Sequence, residues 1–169
     1  MHVLKMLIAT CFMAASGAVM AQGAAGAALK VSGAYAHPPI GAGKVGVAFL
    51  KIDNASDTVF QLIGAESEAF GRIELHTHLY EDGLMKMREV DVIEVPAKGG
   101  VTLKPGGLHL MLFEPASTIK VGDELALNLT FKETEKAEPF TQNIALPVQS
   151  RSAAAGAQTK PHSAHDHHH

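Results

Sequence analysis

The sequence predicts an all-β fold, an antiparallel β-sandwich. About seven to nine short apolar runs follow one another, with turn signals at roughly 8–12-residue spacing. No stretch carries a convincing amphipathic helical period. Between Glu124 and Lys132, Leu125, Leu127, Leu129 and Phe131 alternate with Glu124, Ala126, Asn128 and Thr130, the pattern of a half-buried strand. About 120 residues, 29–149, suffice to close one hydrophobic core.

The elements follow in order. Leu29 to Tyr35 reads as a first strand, and Ala36-His37-Pro38-Pro39-Ile40 with Gly41 and Gly43 as a loop broken by prolines and glycines. Lys44 to Asp53 is a strand apolar on much of both faces, Asn54 to Asp57 a turn, and Thr58 to Ala65 a strand. Ser67 to Gly71 connects to two arms around Asp82-Gly83. Val92 to Val95, Val101 to Leu103, Leu108 to Phe113, Glu124 to Lys132 and Phe140 to Val148 complete the set. No internal repeat is present.

The arms and the Leu108 strand concentrate the chemistry. They read Glu74-Leu75-His76-Thr77-His78-Leu79-Tyr80-Glu81-Asp82-Gly83-Leu84-Met85-Lys86-Met87-Arg88 and Gly107-Leu108-His109-Leu110-Met111-Leu112. Residues i and i+2 of a strand share a face, about 6.5–7 Å apart. His76 with His78, Met85 with Met87, and His109 with Met111 therefore project together. Converging imidazole and thioether donors suit a soft metal, above all Cu(I). Asp82-Gly83 signals a two-residue type I′ turn, pairing Glu81 with Leu84, Tyr80 with Met85, His78 with Met87 and His76 with Glu89. A three-residue loop would shift the register by one and move the methionines off the histidine face.

The first residues read as an export signal: Lys5, an apolar Met6 to Val19, then Val19-Met20-Ala21 with small residues for cleavage after Ala21. The apolar run is short for a membrane span. Ile8-Ala9-Thr10-Cys11 resembles a lipoprotein acylation site, set second because Thr10 is a poor residue before the cysteine. Residues 22–28 read as a small-residue, flexible N-terminus of the mature chain. Cleavage after Ala21 leaves no cysteine, which excludes disulfides, thiol exchange and a thiolate blue-copper centre. It also removes Lys5, one of the 14 basic residues, leaving 13 against 17 acidic ones and a net charge near −4. The scattered basic residues exclude a nucleic-acid patch. From Ser150 the chain turns small and polar and ends in His162, His165, His167, His168 and His169, the composition of a disordered metal-catching tail over 150–169.

His76, ten residues, Met87, twenty-one residues, His109, one residue, Met111: this spacing resembles the H-x10-M-x21-H-x-M signature of the PCuAC-type periplasmic copper chaperones. The flanking Arg72-Ile73-Glu74-Leu75, Asp82-Gly83-Leu84 and Leu103-Lys104-Pro105-Gly106-Gly107-Leu108 agree, and the resemblance covers residues 29–149. It implies a cupredoxin-like sandwich with Greek-key connections, binding one Cu(I) through His76, Met87, His109 and Met111. It also implies delivery in the periplasm to a copper acceptor, such as the copper subunit of cytochrome oxidase or another copper chaperone. Relatives often extend into a C-terminal Cu(II)-binding tail, which 150–169 resembles. His78 departs from the methionine common in relatives, and an added imidazole there could join as a ligand. Met85 is a further ligand candidate, with a neighbour or packing role as the alternative, and His37 reads as a surface or satisfied core histidine.

The main alternative is a copper-sequestering or resistance protein with the same ligands and no acceptor. A purely structural sandwich would bind no metal selectively. An enzyme fits least, because no Ser/His/Asp set or carboxylate pair stands ready and four ligands leave no open position for substrate.

Overall fold

In the computed structural model, residues 28–40, 44–134 and 138–151 are described. The expected export segment, flexible N-terminus and His-rich tail fall almost wholly outside them. Ten strands run β1 (Leu29–Ile40), β2 (Val45–Asn54), β3 (Phe60–Glu66), β4 (Phe70–Glu81), β5 (Leu84–Glu89), β6 (Ile93–Val95), β7 (Gly100–Leu103), β8 (His109–Pro115), β9 (Glu124–Glu133) and β10 (Phe140–Pro147). That is one more than the upper end of the expected seven to nine, and the two shortest runs both pair. β6 joins β3, and β7 lies beside β2 at Leu50–Asp53, next to the stretch Gly46–Ala48 where β8 pairs.

The larger sheet has the order β1-β2-β8-β4-β5, with β7 also on β2; the smaller has β10-β9-β3-β6, and every strand pairing is antiparallel. The chain changes sheet repeatedly, from β2 to β3 to β4 and from β5 to β6 to β7, as a Greek-key sandwich requires. Alternation decides what each strand contributes to the core. Leu50 and Ile52 of β2, Leu62 of β3, Leu75 of β4, Leu110 and Leu112 of β8, Leu127, Leu129 and Phe131 of β9 and Leu146 of β10 are buried together between the sheets.

One expectation is corrected. The Ala36–Ile40 stretch is strand, not loop, and β1 runs through Pro38 and Pro39. β1 is an edge strand, and the prolines fall in the register break between His37↔Val47 and Ile40↔Val45. There no ladder hydrogen bond is asked of them.

The outer face of the larger sheet is the unusual one. Phe49 and His37 point away from the sandwich core yet are buried. Phe49 is covered by Tyr35 and His37, with ring centroids 5.3 and 5.8 Å away, and on its other side by His109 at 6.5 Å. This aromatic patch forms the floor beside which the histidines assemble.

Candidate metal centre

The β4–β5 hairpin has the two-residue turn that the Asp82-Gly83 pair predicts. Both residues have positive φ, 53° and 81°, and the register pairs Glu81 with Leu84, Tyr80 with Met85, His78 with Met87 and His76 with Glu89. On its other side β4 pairs with β8, setting His76 opposite His109 and Glu74 opposite Met111. Three imidazoles converge: His109 lies 5.8 Å from His76 and 5.0 Å from His78, stacked on the latter at 26°.

His109 is positioned by the loop before it. Lys104-Pro105-Gly106-Gly107 closes with the Gly107 amide donating to the Lys104 carbonyl at 3.0 Å, and Gly106 takes φ 77°. Proline second and glycine third are what such a turn demands. The turn aims the Gly107 carbonyl at the site, where it accepts a hydrogen bond from His109 Nδ1–H at 2.9 Å. A carbonyl can only accept, so the ring proton is on Nδ1 and Nε2 is left with a bare lone pair.

His76 is held differently. Its Nε2–H donates to Glu74 Oε2 at 2.8 Å, and Arg72 grips the other carboxylate oxygen of Glu74. The Arg72 guanidinium lies 4.3 Å over the Phe113 ring. Phe113 of β8 and Arg72, Glu74 and His76 of β4 thus form a chain of contacts on one face, the three β4 residues spaced by two. With its proton committed to Glu74, His76 keeps a lone pair on Nδ1, and that atom is buried without a hydrogen-bond partner. A buried unpaired polar atom costs about 1–3 kcal/mol, and such atoms are rare in folded proteins.

Burial is the main influence holding both imidazoles neutral. It lowers the pKa of His76, with Glu89 opposing and Arg72 reinforcing; it lowers that of His109, with the Gly107 hydrogen bond opposing and His78 and His76 reinforcing. Neutral imidazole is the form that ligates metal. Unprotonated imidazole nitrogens on β4 and β8 and thioethers on β5 and β8 are donors of soft, uncharged character.

A family model, LpqE-like, matches residues 29–148. The chain belongs to the LpqE-like family. Among solved structures, this LpqE-like chain is similar to the Cu(I) form of DR1885 from Deinococcus radiodurans. The two are 30% identical with a TM-score of 0.53, the match covering 78% of this chain and 86% of that one. The apo PCuAC domain from PmoF1 is 26% identical with a TM-score of 0.55, covering 72% of this chain and 94% of that one. Family and fold are therefore of PCuAC type. An uncharacterized protein of Rickettsia prowazekii, RP573, is 30% identical over 103 residues, 59% of this chain. The chain spans 57% and 62% of the two curated relatives it matches.

Of the residues singled out in the LpqE-like sequence, His76, His78 and His109 come together within ring contact. Met87 sits opposite His78 on β5, and Met111 follows His109 on β8, between Val47 and Glu74. Met85 is farther out, exposed near the turn opposite Tyr80. The tail histidines lie outside the described residues. His37 is buried and satisfied, though on the outer face of the larger sheet and not in the sandwich core, its Nδ1–H donating to the Gln149 carbonyl at 3.1 Å. Glu74, Arg72 and the Gly107 carbonyl were not singled out from sequence. The signal for Glu74 was its place two residues before His76.

Proposed function

We propose that the protein is an extracytoplasmic copper carrier. It binds one Cu(I) through His76, Met87, His109 and Met111 and delivers it to a copper enzyme, with the dinuclear copper centre of cytochrome oxidase as recipient. The observation that carries the reading is the buried, unpartnered Nδ1 of His76, one strand away from a second imidazole whose Nε2 carries no proton. Thioethers have no proton to lose, so Met87 and Met111 supply soft donors without adding charge. The described residues contain no cysteine, so a thiolate-bearing acceptor would out-compete the site and draw copper from it.

His78 stacks on His109 and stands ready as an additional or substitute ligand. The His-rich tail would capture Cu(II) with its imidazoles. Export follows from either reading of the N-terminus. Release after Ala21 gives a periplasmic protein, and acylation at Cys11 agrees with the family's description as lipoproteins. No helix among the described residues is long and apolar enough to cross a membrane.

An anaerobic Cu(I) competition titration against a chromophoric chelator tests the site. The arms are the mature protein, a form ending at Ser150, and that form with His109→Ala and Met111→Ala. One tight equivalent that survives truncation and vanishes with the double substitution is expected. A truncated protein that cannot compete for Cu(I) would sink the proposal. Transfer to an apo copper subunit then separates carriage from sequestration.

A further inference from the structure

Beside the proposed copper ligands lies a second donor set of different chemistry. Glu74, His76 and Glu89 bring one imidazole nitrogen and two carboxylate oxygens within 4.8 Å of one another. Register explains the grouping. Glu74 and His76 share a face of β4, and Glu89 is the cross-strand partner of His76 on β5. Arg72 holds Oε1 of Glu74, and Oε2 is the oxygen turned toward His76. Nitrogen and oxygen donors carrying carboxylate charge are poorly matched to Cu(I) and well matched to borderline divalent ions.

We propose that Glu74, His76 and Glu89 form a second metal site, for a borderline divalent cation such as Zn(II), and that it shares His76 with the Cu(I) site. The sharing, though not the site itself, rests on the copper-carrier reading. The ring proton enforces exclusion between the two. As the site stands, His76 Nε2 carries the proton and donates it to Glu74, while Nδ1 is bare. A divalent ion coordinated at Nε2 takes the place of that proton, which moves to Nδ1. No lone pair then faces Cu(I). A neutral imidazole serves one metal at a time, so each ion lowers the affinity for the other by the same factor.

The test uses the full chain with His162, His165, His167, His168 and His169 changed to Asn, which silences the tail. Zn(II) binding is measured by calorimetry on the metal-free protein and on protein preloaded anaerobically with one equivalent of Cu(I). One Zn(II) equivalent is expected, weakened at least about tenfold by Glu89→Gln and by Cu(I) loading, while Glu89→Gln leaves Cu(I) affinity within about twofold. Glu89 is exposed at the end of an edge strand, so its amide variant tests ligation without endangering the fold. Zn(II) binding indifferent to Glu89→Gln overturns the site; if His109→Ala then removes it, the three imidazoles hold the ion instead. Equal Zn(II) binding with and without Cu(I) overturns the sharing. A protein that binds Zn(II) through Glu89 but never Cu(I) sinks the copper-carrier reading and leaves the second site standing.

Discussion

β4 and β8 present two faces of opposite character, built from alternate residues of the same chain. Inward, Leu75, Leu110 and Leu112 are fully or nearly fully buried against the smaller sheet. Outward, Glu74, His76, His109 and Met111 form a polar and soft-donor cluster. The buried side chains of the inner face are apolar and ask only for a matching shape. On the outer face the ring protons of His76 and His109 have assigned places, and each ring keeps one unprotonated nitrogen, that of His76 buried without a partner. The period of two keeps the requirements of stability and of ligation from competing for the same positions. A change on one face should therefore register in one observable and spare the other.

The largest effect is expected on the inner face. Leu112→Ala removes a fully buried side chain and should lower unfolding free energy by about 2–5 kcal/mol in a denaturant melt. Copper affinity measured well below the melting transition should stay near that of the parent. Should affinity collapse in a protein that is still folded, the separation of faces fails.

Glu74→Gln strikes the outer face. The amide can still meet His76 but presents no charge to it and loses the ion pair to Arg72. Supporting partners of metal-bound histidines are typically worth about 10–100-fold in affinity. A loss of about tenfold in Cu(I) affinity with little change in melting would sharpen the contrast. Unchanged affinity would show that Glu74 does not orient His76.

The smallest effect is a pH dependence shared between the faces. Both His76 and His109 have folded pKa values lowered mainly by burial. Below about pH 6.5 the unfolded chain takes up protons that the folded one resists, so stability falls as pH drops into that window and is full above it. Melts of the metal-free protein between about pH 7.5 and 5 should show this decline, and His109→Ala should flatten it. A decline that survives His109→Ala and His76→Ala together would assign it elsewhere.

Much of this was legible in the residues. Asp82-Gly83 determined the hairpin register, because only a turn with two positive φ values fits two residues there, and His78 opposite Met87 follows from it. The Leu125–Phe131 alternation located a core strand, and Lys104-Pro105-Gly106-Gly107 the turn before His109. The extension of β1 through Pro38 and Pro39 was hidden, because proline opposes strand pairing locally and only an edge position with a register break excuses it. The role of Glu74 was hidden as well. Sequence shows that Glu74 and His76 share a face, yet not that Arg72 occupies one oxygen and leaves the other for the imidazole. The burial of His37 depends on the Gln149 carbonyl, 112 positions along the chain.

β5 ends the larger sheet, pairing along its length with β4. The histidines sit on interior strands and share the rigidity of the sandwich, whereas Met87, the proposed thioether donor, rides on the outermost ribbon. Local opening of such a ribbon requires far less free energy than global unfolding. Amide hydrogens of Leu84–Glu89 should accordingly exchange before those of β8. The off-rate of a metal held partly by Met87 would then follow the breathing of one hairpin, leaving the rest of the domain folded while cargo departs.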